Sequence, residues 1–570
     1  MEYKWNLHII YGNDEEWLKG KEDLLKDIDE FNHIMSSLTN SVEDFLTVTK
    51  LKVLIDEKIE RVYCYPRRFL DLDIEDKQHK EAFNEALNIY QSILKHTSAF
   101  ESLAIEHKKE IEEFLKDENA SYYKRYYEIM FAKCLHVSSN DDWFKNYQII
   151  RNEYQSLISE LEFGKINVNG KDIVVNNDGY SNLLLNEDRG VRKSAYNAIN
   201  EAYLSVADEI TNLFLRKLKN DIESTKNKGY DSFMSMKMSE LELPRTLIND
   251  IINVINNKLG IMHDFLSLKK DLSGLDEYCL YDSSLPKLST NSHHIEFDEA
   301  INIARVTLSL LGSDYLSHVD SLINESIDAF PSKGKRTNDF TGITYAGIPY
   351  VCLNFTGKKA GVRALIHELG HAVHLLYSKE NNDFTYFEFS LFLTEVVAKV
   401  NEAIFNNSGN LDDADLLSIL STQLNSIFNQ IMFTEFEMRI VNLLENNEHV
   451  DKDIISHIYE ELLKKYNGSA LTIGEYDKYG WLRISHFIMQ ESFYLYQYSL
   501  GTILANKIYQ NIISDDDYKD TYISMLGIGN KMDTIDSLKS IGIDLFDKAI
   551  FDDAFNNLDE MIKKLKKNQP

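Results

Sequence analysis

The chain has 570 residues, and its 91 Asp and Glu residues outnumber its 61 Lys and Arg residues, which gives a formal net charge of −30. A charge of this sign and size repels nucleic-acid phosphates and anionic membranes, so we expect neither as a partner. The sequence contains no run of about eighteen apolar residues that would span a bilayer, and its start does not have a signal-peptide pattern.

Cysteine and proline usage narrow the class of protein further. The four cysteines are scattered and form no CxxC pair, which is typical of reduced thiols in a cytoplasmic protein. They are Cys64, Cys134, Cys279 and Cys352. Only six prolines occur, Leu, Glu, Lys and Ile are abundant, and no Pro/Gly/Ser-rich linker divides the chain. This composition predicts a mainly helical protein.

The first part of the chain has helical periodicity. Charged, amphipathic segments at residues 15–29 and 42–59 predict helices, and residues 75–163 continue the pattern with Tyr and Phe at helical spacing. An aromatic stripe of this kind is more often part of a core than of a ligand pocket.

A β-hairpin is predicted at residues 166–175. Two short runs rich in Ile and Val flank Asn169 and Gly170, the residue pair that favours a type I′ turn. We take this hairpin as the end of an N-terminal helical lobe, which divides the chain into residues 1–185 and a second domain at 186–570 that carries the catalytic motifs described below.

Residues 344–355 predict a strand pair or a bent strand, because they are rich in β-branched and aromatic residues. Such a strand, just before the helix that follows it, could offer its unpaired N–H and C=O groups to an extended peptide. Such pairing would hold a substrate through its backbone, whatever its sequence.

The next helix carries His367, Glu368 and His371 in a His-Glu-x-x-His pattern. Positions i and i+4 of a helix share a face, so both imidazoles can reach one ion while the carboxylate lies beside them. This is the arrangement of a hydrolytic zinc site. The alternative is a helix with two histidines of no chemical role. The metzincin class is excluded, because that pattern needs Gly and His where the chain has His374 and Tyr377.

A third ligand is expected on a second helix, predicted at residues 387–405. We expect the first helix to end near residue 378 and the second to return antiparallel. The residue of the second helix that lies beside the histidine pair is then near 395. Three glutamates, Glu388, Glu395 and Glu402, are spaced by seven on this helix. Glu395 has the right height and apolar neighbours, so it is the predicted ligand. Glu402 is a candidate to contact one of the metal ligands from behind. For Glu388 and Glu402 alike, a position on a solvent-exposed helix face is an equally good explanation.

Further along, His486 precedes an aromatic segment at residues 493–501. Peptide hydrolysis develops an oxyanion, and His and Tyr side chains can donate hydrogen bonds to it. From the residues alone, an aromatic core helix with a satisfied histidine is the favoured interpretation. On a helix Tyr494 and Tyr498 share a face, whereas Tyr496 points away from both.

Together these motifs resemble the thimet oligopeptidase and oligoendopeptidase F group of zinc peptidases. The group's motif reads His-Glu-x-Gly-His-x-x-His with a Glu about two dozen residues later. The matching residues here are His367, Glu368, Gly370, His371, His374 and Glu395. The segment at 392–403 and the Arg-Ile-x-His-Phe run at 483–487 resemble the oligoendopeptidase F branch. Ser485 stands where that branch often has Pro, and the gap from His486 to the tyrosines is longer than the branch pattern, which leaves the choice of tyrosine open.

The resemblance implies a mainly α, two-lobed, prolate zincin-type (gluzincin) fold with a small β-sheet beside the His-Glu-x-x-His helix and a deep central channel. It implies a cytoplasmic zinc-dependent endopeptidase that cuts internal bonds of short, unstructured oligopeptides. The alternatives are a zinc metallocarboxypeptidase and a catalytically inactive peptide-binding relative. Cleavage-site preference, physiological peptides and oligomeric state are left open.

The resemblance also assigns roles within the site. One Zn²⁺ ion per chain would be bound by His367, His371 and Glu395. Glu368 would act as the general base towards a metal-bound water. Donors to the oxyanion would be His486, Tyr498 and Tyr494.

Overall fold

The structure, a computed structural model, describes residues 3–36, 41–133, 143–285, 294–409 and 412–568. Cys134 and an inner part of the stretch predicted as helical, residues 134–142, lie outside these ranges. The described cysteines, Cys64, Cys279 and Cys352, are buried free thiols.

The predicted mainly helical architecture is confirmed. The α-helices are α1 Asp14–Ser36, α2 Val42–Leu72, α3 Lys77–Glu106, α4 Lys108–Phe114, α5 Lys124–Lys133, α6 Trp143–Ser159, α7 Asn177–Leu183, α8 Arg189–Leu204, α9 Ala207–Asn227, α10 Phe233–Glu240, α11 Leu247–Asn256, α12 Leu259–Ser273, α13 Phe297–Leu308, α14 Ser313–Glu325, α15 Lys359–Asn381, α16 Leu391–Asn406, α17 Asp413–Leu424, α18 Gln430–Glu445, α19 Lys452–Asn467, α20 His486–Met489, α21 Tyr496–Ser514, α22 Tyr518–Leu526, α23 Thr534–Ser540 and α24 Lys548–Lys567. A π-helical turn, Asn425–Asn429, joins α17 to α18. The 3₁₀ turns are Leu7–Ile9, Ser121–Tyr123, Leu280–Asp282, Ser309–Leu311, Gly468–Ala470, Asp477–Arg483 and Gly529–Lys531.

Short strands form three small sheets in the described part of the chain. The strands are β1 Lys165–Val168, β2 Lys171–Val174, β3 Tyr278–Cys279, β4 Ile327–Asp328, β5 Phe340–Gly342, β6 Tyr350–Cys352 and β7 Leu471–Thr472. Strands β1 and β2 pair antiparallel, β3 and β7 pair parallel, and the third sheet has the order β4-β6-β5. In that sheet β6 runs parallel to β4 and antiparallel to β5.

The hairpin prediction is confirmed. Val168 pairs with Lys171 across a two-residue turn. Asn169 and Gly170 in that turn have φ angles of 52° and 81°. A type I′ turn requires positive φ at both central residues, which is why the Asn-Gly pair predicted it.

The strand predicted at 344–355 is much shorter in the structure. Strand β6 covers three of those residues, and its antiparallel partner β5 lies before the predicted range. Gly347, with a φ of 85°, and Pro349 interrupt the segment, since neither continues a strand. Strand β6 is the central strand, so β4 and β5 are the edge strands of this sheet. Of these two, β5 is the one that packs against α15.

Two clusters of buried apolar side chains make up the described core. The first spans residues 5–131 of the N-terminal helices, and the second spans residues 150–565. Strand β6 lies between them, because Tyr350 and Cys352 belong to the first cluster and Val351 to the second. This alternation follows from the two faces of a strand. The division of the chain into domains at residue 185 stays a prediction.

No described helix combines the length and the apolar content needed to cross a bilayer.

Candidate active site

Helix α15 brings the two motif histidines together. His367 and His371 are one turn apart, and their rings lie edge to face with centroids 4.8 Å apart. Their Nε2 atoms approach to 3.1 Å. The helix continues to Asn381, past the predicted end near residue 378. The prediction was wrong because Asn side chains, which favour turns, here bond to helix carbonyls: Asn381 Nδ2 donates to the carbonyl of Tyr377 at 2.8 Å.

Helix α16 begins later than predicted. Ser390 is its N-cap, and its hydroxyl accepts a hydrogen bond from the backbone N–H of Leu393 at 3.2 Å. Glu388 therefore precedes the helix and is exposed. Glu395 and Glu402 lie on the helix and are buried, so the spacing of seven places two carboxylates, rather than three, towards α15.

The two helices pack with backbones in close approach. A Cβ atom added to Gly370 would lie 2.7 Å from the Cα atom of Ala398, so only glycine fits there. Asn401 locks the pairing further: its Nδ2 donates to the carbonyl of Ile366 at 3.2 Å, and its Oδ1 accepts from the hydroxyl of Tyr315 on α14 at 3.0 Å. These contacts fix the height of Glu395 against the histidines.

His367, His371 and Glu395 form a group of candidate metal ligands. One ligand atom from each lies within 4.8 Å of the others. Two nitrogens bound to one tetrahedral zinc at about 2.0–2.1 Å lie about 3.3 Å apart, close to the separation of the two Nε2 atoms. Buried Glu395 Oε2 has no hydrogen-bond partner among the described residues. A buried carboxylate oxygen without a partner is costly, and a bound cation would satisfy it. The donor set therefore fits Zn²⁺.

Glu402 determines the orientation of the His367 ring. The Nδ1 atom of His367 lies 2.6 Å from Glu402 Oε1, which also accepts a hydrogen bond from Lys399 Nζ at 2.7 Å. Burial disfavours a charged imidazole, but Glu402 raises the pKa of His367 above its ordinary value. Burial likewise opposes the charge on Glu402, yet Lys399 and His367 hold the pKa of that carboxyl well below its usual range. A proton on Nδ1 leaves the Nε2 lone pair free for a metal.

Glu368 is buried beside the ligands and is held by the neighbouring sheet. The hydroxyl of Thr341, on β5, donates to Glu368 Oε2 at 2.7 Å and lies 3.0 Å from the backbone carbonyl of the same residue. Burial raises the pKa of Glu368, opposed by the charge of His367 and by the hydrogen bond from Thr341. The carboxylate is therefore fixed in place without being a member of the ligand group.

Comparison with known proteins identifies the family. The sequence matches Peptidase family M3 over residues 182–557, which is more than half of the chain. The chain belongs to peptidase family M3. The predicted resemblance is thereby confirmed, and the protein is a peptidase.

Relatives of this M3 peptidase match it along its full length. It is 26% identical over 585 residues to a protein named oligoendopeptidase F homolog from Borreliella burgdorferi, covering 99% of this chain and 98% of the relative. Two crystal structures share its fold. One, of a protein from Chlamydophila abortus, has a TM-score of 0.84 at 23% identity and covers 98% of this chain and 97% of that one. The other, of oligoendopeptidase-F from Enterococcus faecium, has a TM-score of 0.75 at 20% identity and covers 97% and 98%.

The predicted tyrosines of the M3 peptidase lie next to the ligand group. Tyr494 and Tyr498 have ring centroids 5.3 Å apart. Burial and the negative charge of the nearby Glu395 raise the pKa of Tyr494. Burial and the negative charge of Glu395 also raise the pKa of Tyr498. Tyr496 is fully buried elsewhere, with no partner for its hydroxyl among the described residues.

His486 lies on a different element from the ligands. It begins the short helix α20, which packs against α6 and α9, and its side chain is exposed. Within the described residues, His486 forms no hydrogen bond or charge interaction with the three candidate ligands.

Two residues of the site were not predicted from the sequence. Thr341 lies just outside the predicted strand, and Lys399 received no role although it lies one turn from both Glu395 and Glu402, a spacing that could have revealed it. His374, the third histidine of the motif, is buried against Phe389, with ring centroids 3.7 Å apart. Burial lowers the pKa of His374 to about 3, so this imidazole is neutral.

Proposed function

We propose that this M3 peptidase is a zinc-dependent endopeptidase that hydrolyses internal bonds of short, unstructured oligopeptides. The observation that carries the proposal is the group of two imidazoles and one carboxylate, with the buried Glu368 beside it. The name of the full-length relative, oligoendopeptidase F homolog, supports internal cleavage of oligopeptides.

One Zn²⁺ ion would be held by His367, His371 and Glu395. When bound, it would supply a Lewis acid that polarises the scissile carbonyl and lowers the pKa of water. The contact between Glu402 and His367 orients the first of these ligands. Such outer contacts raise the basicity of a ligating histidine.

Glu368 would act as the general base. Its carboxylate takes a proton from the attacking water and gives it to the nitrogen of the leaving amine. The hydrogen bond from Thr341 keeps one carboxylate oxygen in place, which leaves the other available for the proton. Because Glu368 follows His367 in the chain, base and ligand move together with α15.

Donors to the developing oxyanion would be Tyr498, Tyr494 and His486. Both tyrosines interact electrostatically with Glu395, which supports a role for them at the site. His486 is exposed on α20, which gives its ring access to a substrate. Neutral phenol and imidazole groups can donate without ionising.

The substrate class follows from how a peptide would be held. The free edge of β5 lies next to Glu368, and an extended peptide added there would be gripped through its backbone. A folded protein already pairs most of its backbone N–H and C=O groups internally, so this mode of binding favours unstructured oligopeptides. Buried free thiols support a cytoplasmic location.

The test is cleavage of a mixed set of peptides by the purified protein, with product masses read by mass spectrometry. We expect internal cuts that stop after chelation and return with added Zn²⁺. Release of single C-terminal residues would instead identify a carboxypeptidase, and no cleavage with zinc bound would identify an inactive relative.

Metal binding is tested separately with Glu395→Ala. We expect zinc content by elemental analysis to fall from one ion per chain to nearly none, because the carboxylate ligand is lost. Glu388→Ala is the matched control, since Glu388 is exposed before the same helix. Full zinc content in Glu395→Ala would contradict the ligand assignment.

A further inference from the structure

The segment that precedes α21 is held in place by residues distant in sequence. We call residues 489–494, which run from the last residue of α20 towards α21, the strap. At its start, the carbonyl of Met489 accepts a hydrogen bond from the hydroxyl of Tyr147 on α6 at 3.0 Å. Two residues later, Glu491 Oε2 pairs with Lys237 of α10 at 2.8 Å. The strap is thus fixed by helices that carry none of the candidate ligands.

The next contact of the strap is buried and charged. The hydroxyl of Ser492 donates to Asp221 Oδ2 at 2.7 Å and accepts from Lys217 Nζ. Both charged residues lie on α9, and the indole N–H of Trp143 donates to the other oxygen of Asp221 at 2.6 Å. Lys217 and Asp221 are 1% and 2% exposed, so their charges are removed from water.

Phe493 has an unusual backbone conformation. Its φ angle is 58°, in the left-handed region that residues with a side chain seldom adopt. Its N–H donates to Glu437 Oε2 on α18 at 2.8 Å, and both residues are 2% exposed. Such a conformation persists only where its surroundings hold it. The next residue is Tyr494, whose ring packs on Tyr498 with centroids 5.3 Å apart and which lies close enough to Glu395 to feel its charge.

We propose that Glu437 is a positioning residue: by holding Phe493 in the left-handed conformation, it directs the Tyr494 hydroxyl at the metal-binding carboxylate Glu395. Lys217 and Ser492 support the same turn. This inference rests on the proposed peptidase function.

Stabilisation of the fold does not by itself explain why these charged side chains are buried together. Three charged side chains, Lys217, Asp221 and Glu437, are buried together, with Lys217 Nζ 4.0 Å from Glu437 Oε1. Well-packed apolar residues of similar volume stabilise a protein as well or better. What an apolar set cannot provide is an acceptor for the N–H of Phe493. The cluster therefore has a use in fixing the direction of the strap.

The test is a double-mutant cycle between Glu437→Leu and Tyr494→Phe, with zinc content and thermal unfolding measured for every variant. We expect Glu437→Leu to keep one zinc ion and to lower kcat about ten- to hundredfold with little change in KM, because a displacement of about 1 Å can cost that much. Tyr494→Phe should lower kcat similarly, and the double variant should fall no further. Glu437→Gln, which keeps an acceptor oxygen, should restore most of kcat.

The matched control is Glu435→Leu. Glu435 is a buried carboxylate on the same helix, but it accepts hydrogen bonds from Arg439 at 2.7 Å and from Lys465 at 2.8 Å rather than from the strap. We expect Glu435→Leu to leave kcat unchanged. If Glu437→Leu does not fold, Ser492→Ala replaces it in the cycle with the same expectation.

Two results would overturn the inference while leaving the proposed function intact. One is a multiplicative loss of kcat in the double variant, which indicates a general structural role for Glu437. The other is unchanged kcat in Glu437→Leu or in Tyr494→Phe. The proposed function fails separately, if the wild-type protein with zinc makes no internal cuts.

Discussion

The helix pair α15–α16 and the strap both place side chains at Glu395. They differ in which residues of the sequence determine their positions. The pair is held by short-range pattern: two histidines four residues apart, and a capped helix that returns antiparallel. The strap is held by side chains 56 to 342 residues away along the chain. A local pattern can thus specify which groups bind a metal, while distant contacts specify what faces it.

This difference explains what the sequence could predict. The positions of His367, His371 and Glu395 follow from helical geometry, so the structure brings together the three residues that spacing selected. The ends of α15 and α16 were misjudged because capping by Asn and Ser depends on which carbonyl or N–H is left open. The short strand β6 depends on pairing with β4 and β5, which no local pattern reveals.

The tyrosines illustrate the limit most clearly. The helical spacing of Tyr494 and Tyr498 predicted a shared face, and their rings do meet. Yet Tyr494 lies before the first residue of α21, so the helical argument does not apply to it. Its direction comes from Phe493 and Glu437, and a carboxylate 56 residues upstream carries no signal of that role in a single sequence.

The largest expected effect tests the chemistry on the helix pair. Glu368→Gln keeps the shape and the acceptor for Thr341 but cannot take a proton, so we expect kcat to fall about 10²–10⁴-fold with zinc content unchanged. Peptide turnover and elemental analysis check this. Glu388→Gln, on an exposed side chain, should retain full turnover. Full activity in Glu368→Gln would rule out this residue as the base.

A smaller effect is expected from the carboxylate behind the first histidine. Glu402→Gln removes the charge that orients His367 and that pairs with Lys399, so we expect the Kd for zinc to rise about 10–100-fold. Competition with a chelator measures it. The control is Glu380→Gln, which changes an exposed side chain elsewhere on α15 that lies 2.9 Å from His318 Nε2 of α14, and it should leave the Kd unchanged. An unchanged Kd in Glu402→Gln would contradict the role of Glu402 in orienting His367.

The close approach of the two helices gives a prediction about stability. Gly370→Ala forces a Cβ atom against Ala398, and we expect a loss of about 1–3 kcal/mol in the free energy of unfolding. Gly260→Ala on α12 is the control, since a Cβ there meets nothing within 4 Å. That substitution should be neutral or stabilising by up to about 1 kcal/mol. Denaturant unfolding compares the two, and equal stabilities would disprove the tight fit.

The last prediction concerns a contact outside both the helix pair and the strap, and its effect appears only at neutral pH and above. Glu60 on α2 accepts the N–H of Tyr345 at 2.7 Å, and burial raises its pKa from 4.5 to about 7. The folded protein therefore keeps a proton that the unfolded chain has lost, and stability falls as pH rises from about 4.5 to about 7.

Glu60→Gln removes this titration. We expect it to match the wild type near pH 4.5 and to be more stable by about 1–3 kcal/mol above pH 7. Thermal unfolding at both pH values measures the difference. The exposed Glu81→Gln is the control. A pH-independent difference between Glu60→Gln and the wild type would show that the Glu60 charge is not the cause.

Strand β5 has three residues, and its middle residue, Thr341, holds the carboxylate of Glu368. A peptide that docks along this strand would stiffen the same backbone that anchors the proton acceptor. The Glu368 side chain would then be more mobile in the peptide-free enzyme than in the enzyme with an extended peptide bound. Peptide binding would therefore also increase the reactivity of the site. Peptides too short to span the strand would be poor substrates even when their scissile bond is suitable, because they would fail to prepare the enzyme for the reaction.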